Sequence, residues 1–174
     1  MLVRSEIYRA GGGHPQVTYL LGLRGLSPQT LNDTINIMLE VVPENQRERV
    51  RGYFEALCVL DGFRQEEIGP MLAAQDEHDE YRQWPINKIR QIRDELLDTY
   101  LVRWRDGLYQ VDESVRRPME YWLRQEKPDL WRRLHQAAYD LYTRWANDYP
   151  RSKEFYLALA QRHEQALADD KRHQ

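Results

Sequence analysis

The chain has 174 residues, 28 Asp plus Glu against 25 Lys plus Arg, and 41% hydrophobic residues including five Trp. That is enough apolar material for one ordinary domain or two small ones, and too much for a disordered chain. A net charge of -3 and a pI near 6.0 argue against wholesale coating of nucleic acid and leave only a local basic face.

Most Gly and Pro residues punctuate helical periodicity, so the chain reads as helices joined by short turns. The first ten residues form the tail of a helix that Gly11, Gly12 and Gly13 terminate. Pro15 starts a second helix with Val17, Leu20 and Leu21 on one face, and Ser27-Pro28 starts a third. Leu31, Ile35, Met38, Leu39 and Val42 give this third helix an amphipathic stripe, closed by Pro43. From Asn45 to Leu60 the helical period continues through Val50, Phe54, Leu57 and Cys58, ending at Asp61-Gly62. A short helix follows with Ile68, Met71 and Leu72, and Gly69-Pro70 inside it predicts an irregularity or early break. After the acidic run Asp76-Glu77-His78-Asp79-Glu80, Trp84-Pro85 opens a helix with Ile89, Ile92 and Leu96 inward and Arg90 and Arg93 outward.

The period then changes. Tyr100 to Trp104 and Leu108 to Val111 flank Asp106-Gly107, the signature of a β-hairpin. Helix, short helix, helix and hairpin in succession is the outline of a winged helix with the hairpin as its wing. Beyond it lie three more helices, over 115–125, 129–149 and 152–168. The last two would form an antiparallel pair resembling one unit of an α-solenoid.

No P-loop, nucleophile elbow or zinc-protease motif is present in the sequence; at His163-Glu164 the second zinc ligand is replaced by Leu167. The chain therefore reads as a non-enzyme, with no catalytic residue and no metal ligand set. The lone Cys58 excludes an intramolecular disulfide, and its apolar neighbours predict a buried thiol. The acidic run around His78 reads as a solvated loop. His135, on an apolar stripe, reads as a satisfied interface histidine. Gly12-Gly13-His14-Pro15 reads as a helical corner that could also present free N–H groups to an anion. For nucleic acid, Lys88, Arg90, Arg93, Arg103 and Arg105 stand against Asp94, Glu95, Asp98 and Asp106, five charges against four, a nearly neutral surface. A denser cluster, Arg116, Arg117, Arg124, Lys127, Arg132 and Arg133, is expected to flank the core or pair with Glu120, Glu126 and Asp129.

Taken together, the Gly-Gly-His-Pro corner, the small bundle, the winged-helix outline, Val115-Arg116-Arg117 and the helix from Arg133-Leu134-His135 to Tyr142 resemble the back half of STAND-class signal-transduction ATPases. The resemblance covers residues from about 5 to 145. It implies a P-loop domain preceding this region in a parent protein, which would make Met1 an artificial or fragment start. It also implies that Gly13, His14 and Pro15 lie near a bound ATP or ADP in that parent, with no cofactor held by this chain alone. The class's Met-His-Asp element would fall at Val111-Asp112-Glu113, where Asp replaces the His; an aspartate facing a diphosphate would repel it.

The expectation is thus a mainly α, cytoplasmic fragment: a lid-like helical bundle at 1–46, a winged helix at 47–112 with its small hairpin, and a helical connector at 113–174. Its role would be regulatory, coupling the state of the parent's P-loop domain to a downstream effector or helical repeats. A homodimer through exposed N-terminal helices is a further expectation, and no membrane contact is expected. The alternatives are a winged-helix DNA-binding regulator using Lys88, Arg90, Arg93, Arg103 and Arg105, and a helical protein-interaction adaptor.

Overall fold

The fold is described from a computed structural model that defines residues 2–76 and 84–172, with side chains from Ser5 onward. The acidic stretch from Glu77 to Glu80 lies outside the described residues. The chain is mainly helical with one small antiparallel sheet.

Three helices open it: α1 (Leu2–Ala10), α2 (Pro15–Arg24) and α3 (Pro28–Met38). The end of α1 is closed by two backbone bonds, from Gly13 N–H to the Tyr8 carbonyl at 3.2 Å and from Gly12 N–H to the Arg9 carbonyl at 3.1 Å. This pattern needs a left-handed residue, and Gly12 supplies it at φ 59°. Pro15 and Pro28 both occupy the first helical turn, where a missing N–H costs no bond. Ser27 Oγ accepts from Thr30 N–H and caps α3. The apolar stripe is buried through Leu39 and Val42 as expected, but α-helical geometry stops at Met38 and tightens into a 3-10 turn over Leu39–Val41.

The central part comprises α4 (Glu44–Leu57), α5 (Gln65–Asp76), α6 (Ile86–Asp98), β1 (Val102–Arg105) and β2 (Leu108–Val111). Asp106 and Gly107, at φ 52° and 80°, make the two-residue turn whose twist suits a hairpin. Phe63, between α4 and α5, bridges Tyr109 of β2 through reciprocal backbone bonds of 2.9 and 2.8 Å. The hairpin thus gains a third, one-residue strand. Helix α5 runs unbroken through Pro70, contrary to the expected break, because its inner face is fixed by burial of Ile68, Met71 and Leu72. Tertiary packing here outweighs the one lost backbone bond.

Three helices complete the chain: α7 (Glu113–Glu126), α8 (Pro128–Asp148) and α9 (Lys153–Arg172). Asp112 caps α7, accepting from Ser114 N–H at 2.9 Å and from its hydroxyl at 2.6 Å. Helices α8 and α9 pack antiparallel. Tyr142 meets Tyr156, and His135 meets His163, each pair equidistant from Tyr149 at the turn.

One apolar cluster takes in Ile35 of α3, Phe54 and Leu57 of α4, Ile92 and Leu96 of α6, Met119 and Leu123 of α7, and Ala160 of α9. A smaller one, Ala10, Val17, Leu21 and Leu31, sits under α1–α3, and Met38 and Trp122 pack against both. As expected from spacing, α6 buries Ile89, Ile92 and Leu96 and exposes Arg90. Arg93 departs from the expectation: it is only half-exposed, held by Asp94 at 2.6 Å and by Gln65 of α5 at 2.9 Å. No described helix is long and apolar enough to cross a membrane.

Candidate functional site: the cleft between the N-terminal corner, α7 and α8

The Gly-Gly-His-Pro corner is seated on the first turn of α7. A Cβ built on Gly12 would lie 2.2 Å from the Glu113 carbonyl oxygen, so the close approach of the two backbones demands glycine there. Gly13, at φ 72°, lies against the Tyr8 ring. His14 precedes Pro15 in extended conformation without a side-chain cap bond, and its Nδ1 is buried with no hydrogen-bond partner. The corner is therefore first a packing device.

Beside it opens a cleft of about 530 Å³ lined by Tyr8 and Arg9 of α1, Gly12 and Gly13, Glu113, Arg117, Glu120, Tyr121 and Arg124 of α7, and Trp131 of α8. His14 and Pro15 are not among its walls. Its rim carries three guanidiniums and two carboxylates. Arg117 bonds Glu113 at 2.9 Å and Glu120 at 3.5 Å, and Arg124 stacks over the Trp131 ring at 5.2 Å while bonding Asp170 of α9. The Trp131 indole N–H is buried without an acceptor. Aromatic faces beside cations suit a planar anionic ligand.

Behind Arg117 and Glu120 lies a second, more enclosed cavity of about 210 Å³. Arg116, 2% exposed, is its electrostatic centre: it binds Glu113 at 2.6 Å, Asp61 at 3.2 Å, Glu120 at 3.5 Å and the Cys58 carbonyl at 3.3 Å. Burial works against its charge, yet those carboxylates hold its pKa above the ordinary arginine value. Burial likewise lifts Glu120, against the pull of Arg116 and Arg117. On the same cavity, His163 and His135 face each other, Nδ1 to Nδ1, at 2.9 Å. Burial lowers His135 to about 3, with the neighbouring His163 adding to it, and lowers His163 to about 4. Beneath them, Tyr142 meets the buried Glu67, whose carboxyl burial raises to about 7.

The remaining arginines of the sequence cluster are structural as expected, with partners the sequence reading named only in part. Arg132 bonds Asp129 and Asp170, Lys127 bonds Glu55, and Arg133 donates to the carbonyls of Ala74 and Gln75 at the end of α5. Cys58 is buried and burial raises its pKa. His135 lies at a helix interface, but only one of its nitrogens is satisfied; Nε2 has no partner. No described group of three or more His, Cys, Asp or Glu residues is arranged to hold a metal ion.

The nucleic-acid candidates sit apart from this cleft. Lys88 lies over the Trp84 ring at 5.1 Å, Arg90 and Arg103 are exposed, Arg105 reaches Asp106 at 3.4 Å, and Arg93 is held as above. Trp104 and Tyr100 of the same region are exposed as well. Sequence reading weighed His163 only as part of a failed zinc motif and missed its pairing with His135, and it missed Glu67. The pairing could have been found: positions 135 and 163 are equidistant from Tyr149, at the turn between the last two helices. Comparison with family models, curated proteins and solved structures gave no significant match.

Proposed function

We propose that the chain is a non-catalytic, cytoplasmic regulatory region of a STAND-like signal-transduction ATPase: a lid bundle at 1–46, a winged helix at 47–112 and a helical connector at 113–174. In this reading it couples the ATP or ADP state of a P-loop domain to a downstream effector by rigid-body rearrangement. The observation that carries it is the seating of Gly12 on Glu113, because it brings the corner, the exit of the hairpin and α8 to one cleft. A movement of any one of them reshapes a pocket with aromatic and cationic walls.

Two further features support it. The order α4, Phe63 bridge, α5, α6 and hairpin is the order of a winged helix, and the outer face of α6 is too nearly neutral for a DNA reader. The α1–α3 region also leaves Tyr8, Tyr19, Leu23, Ile37 and Val41 exposed, apolar surface that a P-loop domain or a second copy would cover. Asp112 spends its carboxylate on capping α7, so the winged helix contributes no phosphate ligand at that position. His14 and Pro15 would come near nucleotide only in the intact parent.

A duplex titration separates this reading from the DNA-binding one. Binding to random duplex should be no tighter than roughly 10⁻⁴ M at physiological salt, and the chain should not hydrolyse ATP. Sub-micromolar binding abolished by Lys88→Glu with Arg90→Glu would replace the proposal by the DNA-binding reading.

A further inference from the structure

The buried histidine pair has a geometry that excludes one state. Two imidazoles can share a hydrogen bond between their Nδ1 atoms only if one carries the proton there and the other offers a lone pair. At 2.9 Å the two nitrogens cannot both carry protons. His135 Nε2 has no acceptor, and both rings are nearly fully buried, at 3% and 6% exposure. Doubly protonating the pair therefore breaks the contact between α8 and α9 and leaves two like charges in a buried site. We infer that the His135–His163 contact is a proton-sensitive latch that holds α9 on α8 at neutral pH and releases it in mild acid.

The surroundings of the pair bear on both charge states. Asp170 beside His135, and Asp61 beside His163, favour a proton, whereas Arg124 and Arg162 oppose it. Arg116, Arg117 and Glu120 from α7 line the same cavity, and Arg116 and Arg117 both engage Glu120. From α5, Glu67 faces Tyr142, which stacks on His163. The direction follows from linkage. Both histidines titrate lower in the docked state, about 3 and 4, than the ordinary 6.5. Their contribution to docking is complete above about 6.5 and is lost as the pH falls toward 4. If release exposes both rings, the undocking constant rises on the order of 10³-fold between pH 8 and pH 5. Glu67, raised to about 7, works in the opposite sense: its contribution is greatest in acid and is lost as the pH rises through 7.

The latch stands independently of the proposed ATPase context, since it concerns only α8 and α9. Amide hydrogen exchange across Lys153–Arg172 tests it on the intact chain between pH 8 and 4.5, after correction for the intrinsic pH dependence of exchange. The expected result is loss of protection in α9 ahead of α4 and α7. His135→Gln with His163→Gln should flatten that profile, and Glu67→Gln should leave the early loss of α9 in place. Simultaneous loss across all helices, or an unchanged profile in the double variant, overturns the latch. Imidazole ¹⁵N spectra of the wild-type chain give a readout that does not depend on the variant folding. Two neutral rings of opposite tautomer persisting below pH 6 agree with the latch, whereas ordinary titration near 6.5 with α9 still docked overturns it.

Discussion

Replacing Arg116 by Met keeps the length of the aliphatic stem and removes the guanidinium from a site 2% exposed. The lost contacts are two bonds to Glu113 at 2.6 and 3.0 Å, one to Asp61 at 3.2 Å, a long one to Glu120 at 3.5 Å and one to the Cys58 carbonyl at 3.3 Å. Glu113 and Asp61 are about half-exposed and recover water, so their share is modest; Glu120, 20% exposed, and the buried carbonyl cannot. Removing one member of a buried ionic network costs about 3 to 5 kcal/mol, and the partial rehydration places the expected loss near the lower figure. Arg117→Met removes bonds to the same two glutamates from a half-exposed site and should cost about 1 kcal/mol or less. Urea denaturation followed by tryptophan fluorescence measures both, with an unchanged slope as the sign of a folded-state effect. The pH dependence supplies a second check. Burial already raises Glu120, and the Arg116 guanidinium opposes it more strongly than any other neighbour. In the variant its folded pKa moves higher, a displacement whose stability cost is absent in acid and grows as the pH rises above about 4.5. The Arg116→Met deficit should therefore widen from pH 4.5 to pH 7. A loss below 1 kcal/mol, or a deficit independent of pH, would refute the reasoning.

Ile92→Ala, on the buried face of α6, should cost about 2 to 4 kcal/mol, whereas Arg90→Ala on its exposed face should stay within about 0.5 kcal/mol, both by chemical denaturation. Gly12→Ala forces a Cβ against the Glu113 backbone at positive φ and should destabilise by about 2 kcal/mol or more, with the change in amide shifts centred on residues 8–14 and 112–117.

The elements that proved legible are those whose local chemistry leaves one choice. Proline at 15 and 28 begins a helix because its missing N–H costs nothing there, and Asp106-Gly107 accepts the positive φ of a hairpin turn. The inward stripe of α6 followed from spacing alone. Pro70 was misleading because its local penalty is small beside the burial of α5. Partnerships between distant segments were the least legible. Arg116 reaches Asp61, 55 positions away, and Phe63 forms a bridge of a single residue, too short to show alternation. The cleft follows the same division: its glycines stood out at once, yet its walls on α7 and α8 are residues whose spacing marks only ordinary amphipathic helices.

The central claim, that the corner, the exit of the hairpin and α8 form one cleft whose nucleotide is held only together with a P-loop domain, is tested most directly by following the amide and indole resonances of the isotopically labelled chain on titration with ADP, with and without Arg124→Glu, which replaces a cleft cation by an anion. The account predicts no saturable shift with millimolar ADP in this chain alone, and on Arg124→Glu shifts that reach Tyr8, Gly12, Gly13, Tyr121 and the Trp131 indole together, with the hairpin and α6 unmoved. Saturable ADP shifts in the cleft of this chain alone, or Arg124→Glu shifts confined to α7 and α8, would contradict it.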